Sequence, residues 1–443
     1  SSDLNPVSWF VQMETMYYPS KIGLDVLPLP DIVNHGLDTP RDLSAHVEAW
    51  SDWLVRQVAR DQKNKFGISE NVTPIAHIWC RTFVCDNCRE NVPVFTGSIL
   101  QKKNGKVVAA VEPIIDRENK KIEWKVYCAN SGDNLDSHKK IAFKNGKKIT
   151  CPFCDFISIT SKEISRDARE NGMGHELIAV VETVDGIRKY RSPEISDYKP
   201  VDYEDGEFAE MDLNQYGSLF SQPVPKMGQG ASRAFSVGSY GMESWSDLFN
   251  QRQYWTVHCL INNVRKATKK LVELNYPQIW VEAITAYLTC MVNLATERNT
   301  VISKWNPTDG SIKPTYETYS LPIRWSYAEG NPTSNSSGSI QNFSGTITKL
   351  VHSLIHSSAF TLTPQIRRKS VLDIKDKQEY DLIITDPPYY DQIPYSDTLD
   401  FFYMMIQAIS YDLNSNYKEV FKNPLTPKWD SESGERELID DSN

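Results

Sequence analysis

Asp381-Leu382-Ile383-Ile384-Thr385-Asp386-Pro387-Pro388-Tyr389-Tyr390 is the stretch on which the reading of this chain turns. Leu382 to Ile384 is a short apolar run, and such a run bounded by turn residues predicts a buried strand of an α/β sheet. It stops at an acid, two prolines and two aromatics. In open α/β sheets the ligand crevice lies beyond the carboxyl ends of the strands, so a strand here sets Asp386 to Tyr389 where chemistry happens. The prolines fix φ and remove backbone donors, which leaves the strand-end carbonyls free to accept. A plain acidic turn is the other reading, since Pro-rich turns after strands are common.

Asp386-Pro387-Pro388-Tyr389 resembles the catalytic motif of amino-methyltransferases, which methylate an exocyclic amino group of adenine or cytosine with S-adenosylmethionine. The resemblance implies that Asp386 and the Pro387 carbonyl each accept a hydrogen bond from the amino group, drawing its nitrogen toward a tetrahedral geometry. Tyr389 would stack on a base flipped from its helix. The likeness continues through Tyr390-Asp391-Gln392-Ile393-Pro394-Tyr395-Ser396-Asp397 and Asp400-Phe401-Phe402-Tyr403, which is similar to the adenine-specific DNA methylases with an internal zinc ribbon. Asp3-Leu4-Asn5-Pro6-Val7-Ser8-Trp9-Phe10 is similar to a segment that ends the second strand in that family. There the acid grips the ribose hydroxyls of S-adenosylmethionine, so the resemblance implies a cofactor role for Asp3. Asp373, in Val371-Leu372-Asp373-Ile374, resembles the family's acid near the cofactor adenine. Trp245 to Phe249 with Arg252-Gln253, Arg324 to Pro332, and Leu425 to Lys428 share the family's texture, so the likeness spans almost the whole chain.

One departure carries an expectation. The family's glycine-rich cofactor loop belongs upstream of Asp3, and the chain begins at Ser1. Gly228-Gln229-Gly230 has no strand before it and reads as linker. The chain also stops at Asn443, before the later strands of the family's sheet. The expectation is a methylase without a productive cofactor pocket, for which calorimetry with S-adenosylmethionine shows no micromolar binding. Clear micromolar binding would place the cofactor site elsewhere, with Gly228 to Gly230 the first place to look.

Cysteine supplies the second constellation. Cys85-Asp86-Asn87-Cys88 and Cys151-Pro152-Phe153-Cys154 are two C-x-x-C turns. Each presents two sulfurs to one ion, and together they suit a tetrahedral zinc site. Their separation exceeds the usual zinc-ribbon gap, so the middle must be an inserted hairpin domain. Cys80, Cys128, Cys259 and Cys290 lack this grammar; Cys259 and Cys290 fall on helical patterns. His352 and His356 stand one helical turn apart, but with no intervening acid as in a zinc protease they read as surface or core.

With 443 residues the chain has room for more than one domain. A net charge of −9 argues against indiscriminate binding to nucleic-acid backbone, although a local basic face can coexist with an acidic whole. The candidates are Lys102-Lys103, Lys106, Lys120-Lys121, Lys125, Lys139-Lys140, Lys144 and Lys147-Lys148. The longest apolar candidate, Ala283 to Ala295, is broken by Thr285, Thr289 and Asn293 and reads as a buried helix, so no membrane partner is expected. Eight cysteines in a chain of this length point to a reducing cytoplasm with metal use.

The periodicity predicts a helix from Leu43 to Arg60, a hairpin turning at Asn104-Gly105, a strand at Leu177 to Val181, and helices over Ser246 to Leu274 and Ile279 to Trp305. The regions are 1–65, the cofactor half; 71–198, the β-rich zinc-ribbon insert; 199–345, linker and helices with a role in target recognition; and 346–443, the catalytic half. The implied fold is α/β: an incomplete Rossmann-like methyltransferase with the insert and a helical region. The implied function is N6-adenine methylation of double-stranded DNA by base flipping, in restriction or anti-phage defence with other defence-system subunits. N4-cytosine or RNA methylation, and a non-catalytic zinc-dependent nucleic-acid-binding protein, are the alternatives.

Overall fold

A computed structural model of the chain describes residues 2–33, 39–68, 72–129, 135–198, 220–226, 235–370, 381–386 and 395–427. It starts with β1 (Ser2–Asp3) and α1 (Pro6–Gln12). Asn5 caps α1 by accepting from the Val7 N–H at 2.9 Å, and Pro6 brings a pre-set φ to the first turn. A π-helical turn over Met13–Tyr17 leads into α2 (Tyr18–Ile22). Next, α3 (Leu43–Phe66) opens on Asp42, whose carboxylate accepts from the Ala45 N–H at 3.0 Å, and closes at Gly67 with φ 67°. It runs past Arg60, its predicted end.

The β-rich part follows as β2 (Val72–Val84), β3 (Asn91–Pro93), β4 (Ile99–Lys103), β5 (Lys106–Asp116), β6 (Lys121–Cys128), β7 (Lys144–Asn145), β8 (Lys148–Thr150) and β9 (Ile157–Ile159). A short α4 (Ser165–Asn171) then precedes β10 (Gly174–Val184) and β11 (Ile187–Arg191). The hairpin between β4 and β5 turns where expected: Asn104 and Gly105 both have positive φ, 50° and 78°, which suits the right-handed twist of paired strands. The chain continues through α5 (Gln251–Glu273), α6 (Gln278–Thr296), β12 (Lys304–Asn306), β13 (Ser311–Lys313), β14 (Ser326–Gly330), α7 (Ile340–Ser358), β15 (Arg367–Arg368), α8 (Tyr395–Ser410) and α9 (Ser415–Val420).

The central sheet has the order β11-β10-β2-β14, with β3 also on β2, and every pairing in it is antiparallel. Both of its faces are covered, which is why β2 is buried over most of its length. Trp79, Leu177, Val180 and Tyr327 face the helices; Ile78, Cys80, Ile178, Ala179, Val181 and Ala328 face the β4-β5-β6 sheet through Leu100, Val111 and Trp124. A register shift between Leu177 and Ala179 lets the neighbours Ile178 and Ala179 share one face, as a bulge does. The helices α1, α3, α5, α6, α7 and α8 share a single core. Of these, α6 is long and apolar enough to cross a membrane by length and composition, yet 83% of its apolar window is buried here.

The first and last described segments meet. β1 pairs in parallel with β15, Ser2 opposite Arg367 and Asp3 opposite Arg368. The Arg368 guanidinium donates to the carbonyls of Leu4 and Val420 at 3.2 and 2.9 Å. Trp9 sets its edge against Tyr417, with centroids 5.2 Å apart, and the hydroxyls of Tyr18 and Tyr417 lie 2.5 Å apart.

The fold class holds in its coarse form, and two other expectations need correction. The protein is mixed α/β, but among the described residues the sheets are antiparallel apart from the two-residue β1–β15 pair. The parallel sheet expected of a Rossmann-like fold is therefore not among them. Leu382, Ile383 and Ile384 are 73%, 74% and 83% exposed and form no strand. A strand exists only with a partner edge for its N–H and C=O groups, and no described strand pairs with this run. The helix expected from Ile279 to Trp305 ends at Thr296. Beyond it the Glu297 carbonyl accepts from Thr315 N–H at 2.9 Å, and Thr300 and Thr315 hydroxyls meet at 2.7 Å, so tertiary partners replace the helical ladder.

The core holds neutral histidines. Burial, with Arg252 nearby and against the pull of Glu329, lowers His77 to about 4, and burial lowers His258 to about 4. A depressed value means the unfolded chain takes up the proton first. Stability from these groups is full above the unfolded value near 6.5 and is lost as pH falls toward the folded values. Each such histidine removes about 1.4 kcal/mol per pH unit in that window. Urea midpoints should fall steeply between pH 6.5 and 4; a flat profile would contradict the neutral assignments.

Candidate metal centre

Each C-x-x-C turn is the tip of a β-hairpin, the first between β2 and β3 and the second between β8 and β9. The two are built alike. Cys85 N–H donates to the Glu90 carbonyl at 3.0 Å and Arg89 N–H to the Cys85 carbonyl at 2.9 Å. In the second, Cys151 N–H donates to Phe156 at 2.8 Å and Asp155 N–H to Cys151 at 3.0 Å. Arg89 and Asp155 both stand in the left-handed region, with φ of 61° and 58°. Such a conformation is uncommon for non-glycine residues and here closes each turn tightly.

The tips face one another. Cys85 Sγ lies 3.8 Å from Cys154 Sγ and Cys88 Sγ lies 3.6 Å from Cys151 Sγ, with all four sulfurs within 4.8 Å of each other. These are not disulfides, whose sulfurs are about 2.05 Å apart. Bonds of about 2.3 Å to a central ion would put tetrahedral sulfurs about 3.8 Å apart. The cluster can hold a metal ion, and its donor set and spacing are compatible with zinc.

The surroundings favour thiolates on one side and exclude water on the other. The Asn87 side chain, hydrogen-bonded to Cys154, lowers that thiol to about 6. Burial pushes Cys85 and Cys151 up, although backbone N–H groups of Asn87 and Cys88, and of Phe153 and Cys154, oppose it. Beneath the tips lie Phe83, Val92, Val94, Ile149 and Ile164.

The long insertion between the turns is the β4-β5-β6 sheet, as the spacing required, and its β5–β6 tip returns to the cluster. Arg117 makes two hydrogen bonds to Asp155, at 2.9 and 2.8 Å, and Lys120 pairs with Glu90 at 3.0 Å. One hairpin tip thus touches both turns. Its exposed ion pairs add little stability, but they set positive charge beside the sulfurs. Nothing local in Arg117 or Lys120 signals this; the register of β5 and β6 brings them there.

Cys80 is buried in the central sheet and Cys259 in the helical core, while Cys128 is exposed and donates to the Tyr190 carbonyl at 3.5 Å. Cys290 is half-buried, and all of these lie outside the cluster. Asp3 ends β1, and its Oδ1 accepts from Asn5 N–H at 2.8 Å; burial raises its carboxyl despite hydrogen bonds that oppose the rise. Asp386 is exposed and irregular. Asp373, Pro387, Pro388, Tyr389 and the Gly228–Gly230 loop lie outside the described residues. Compared with known proteins, the chain matches no family model, no curated protein and no solved structure.

Proposed function

We propose that this protein is a zinc-containing DNA methyltransferase that modifies the N6 amino group of adenine. The observation that carries the reading is the meeting of two distant segments. The Asp3 segment pairs in parallel with β15, on the approach to Asp386, although hundreds of residues separate them. The resemblance assigns these two segments to the cofactor and catalytic halves of one enzyme. Their pairing supports that assignment, because parallel strands require a long crossover between them. Zinc in the cluster of Cys85, Cys88, Cys151 and Cys154 would brace the insert, whose exposed Lys103, Lys106, Lys121, Lys125, Lys147 and Lys148 suit contact with DNA phosphates.

S-adenosylmethionine is the methyl donor that the resemblance implies. Asp3 offers a carboxylate, but one of its oxygens already serves Asn5, and the described residues form no glycine-rich loop around it. They do not by themselves make a cofactor pocket. What the chain's residues contribute is positioning. Asp386, open to a ligand, and the Pro387 carbonyl would orient the amino nitrogen, and Tyr389 would stack on the flipped base. The nitrogen reacts while neutral, and Asp386 accepts its proton or passes it to water.

The exposed, unpaired course of Leu382 to Ile384 favours one second reading, a zinc-dependent nucleic-acid-binding protein without catalysis. Labelled methyl incorporation into adenine-containing duplexes decides between the two. DNA binding without incorporation would establish the second. Incorporation into cytosine or RNA would keep the chemistry and change the substrate. The reduced cysteines fit a cytoplasmic enzyme, and a defence role with partner subunits follows from the resemblance alone.

A further inference from the structure

We propose that Asp42, His352 and His356 form a second, exchangeable site for a divalent transition metal, remote in chemistry from the cysteine cluster. His352 and His356 occupy successive turns near the end of α7, with ring centroids 4.3 Å apart. An acid is absent between them in sequence, but the fold supplies one from another helix. Asp42 caps α3, and its Oδ2 lies 3.6 Å from His352 Nδ1. One ligand atom from each of the three residues falls within 4.8 Å of the others.

Three observations fit a metal ion between these side chains. First, Asp42 and His352 stand within ion-pair reach at 3.6 Å, longer than a well-formed hydrogen bond and wide enough for an ion between them. That distance is the separation of two ligands on one ion: bonds of about 2.0–2.2 Å at tetrahedral angles set ligand atoms about 3.3–3.6 Å apart. Second, Asp42 is oriented in advance. Its Oδ1 accepts from Ala45 N–H at 3.0 Å and from the Ser44 hydroxyl at 2.7 Å, which leaves Oδ2 for the imidazole side. Third, the two helices carrying the ligands are held together by buried packing. Ser51 and Ser344 hydroxyls meet at 2.5 Å in their interface, and Leu43, Val47, Val351 and Ile355 lie in the same core. The ligands therefore sit on rigid elements rather than on a loop.

The donor set is two imidazoles and a carboxylate, which suits zinc, nickel or copper better than calcium or magnesium. Three protein ligands leave coordination open to water, unlike a closed four-cysteine site. The His352 side chain is 57% exposed, so the ion exchanges with solvent. Occupied, the site latches the start of α3 to the end of α7.

The test loads the protein with one equivalent of zinc at the cysteines and then titrates nickel by calorimetry. A further equivalent should bind in the micromolar range and raise the melting temperature. His352→Ala and His356→Ala should each weaken that step by about 10–100-fold or more, since even losing the hydrogen-bond partner behind a metal ligand costs that much. Both side chains are exposed, so the variants should remain folded. Cobalt in place of nickel should bring no sulfur-to-metal charge-transfer band at the second equivalent. Absence of a second equivalent, its persistence in the double variant His352→Ala/His356→Ala, or a thiolate band on its binding would each overturn the proposal.

Discussion

Cys151→Ser is expected to empty the metal centre and loosen both hairpin tips. After dialysis that strips any exchangeable ion, elemental analysis should find about one zinc per chain in the wild type and none in the variant. Structural zinc contributes folding energy directly, about 10–16 kcal/mol in small zinc-binding peptides. The effect here is confined to the insert. The tips keep the apolar base of Phe83, Val92, Val94 and Ile149, whereas the central sheet and helices have cores of their own. Limited proteolysis should therefore cut first between β7 and β9, while the helical signal in circular dichroism persists. Cys128→Ser, an exposed thiol outside the cluster, should keep the metal. Full zinc occupancy in Cys151→Ser would sink the assignment.

Asp386→Ala in the active enzyme should remove methyl transfer, by about 10²–10⁴-fold if the residue orients the nucleophile and handles its proton. Cofactor affinity should hardly change, because Asp386 is assigned to the base. Tyr389→Ala should chiefly weaken base capture, by about 1–3 kcal/mol if stacking dominates. The two variants thus separate chemistry from capture. A normal methylation rate in Asp386→Ala would rule the mechanism out, whatever became of the metal site.

Legibility in the sequence followed the range of the interactions. The helix from Leu43 was readable because the apolar stripe through Val47, Trp50, Leu54 and Val58 recurs within a few turns, whereas its Asp42 cap came only with the structure. Asn104-Gly105 specified its own turn through two positive φ angles. The end of α6 was not readable, because what replaces its ladder is Thr315, far along the chain. Leu382 to Ile384 reads as buried yet is exposed for a related reason: apolar character says that a run can pair, not that an edge is there to receive it.

The sequence by itself determined the two C-x-x-C turns, since four consecutive residues are enough to aim two sulfurs one way. It also determined the helix stripes and the tight hairpin, whose rules are local backbone sterics and side-chain periodicity. Only the tertiary structure decided that Cys88 and Cys151, 63 positions apart, lie 3.6 Å from each other. It alone brought Arg117 to Asp155 and Lys120 to Glu90 at the two turns, and Asp42 to the histidines of another helix. The physical reason is the same in each case. Spacing along the chain tells which face a side chain occupies, but which faces meet depends on strand register and helix packing, and these are settled by the burial of the whole core at once.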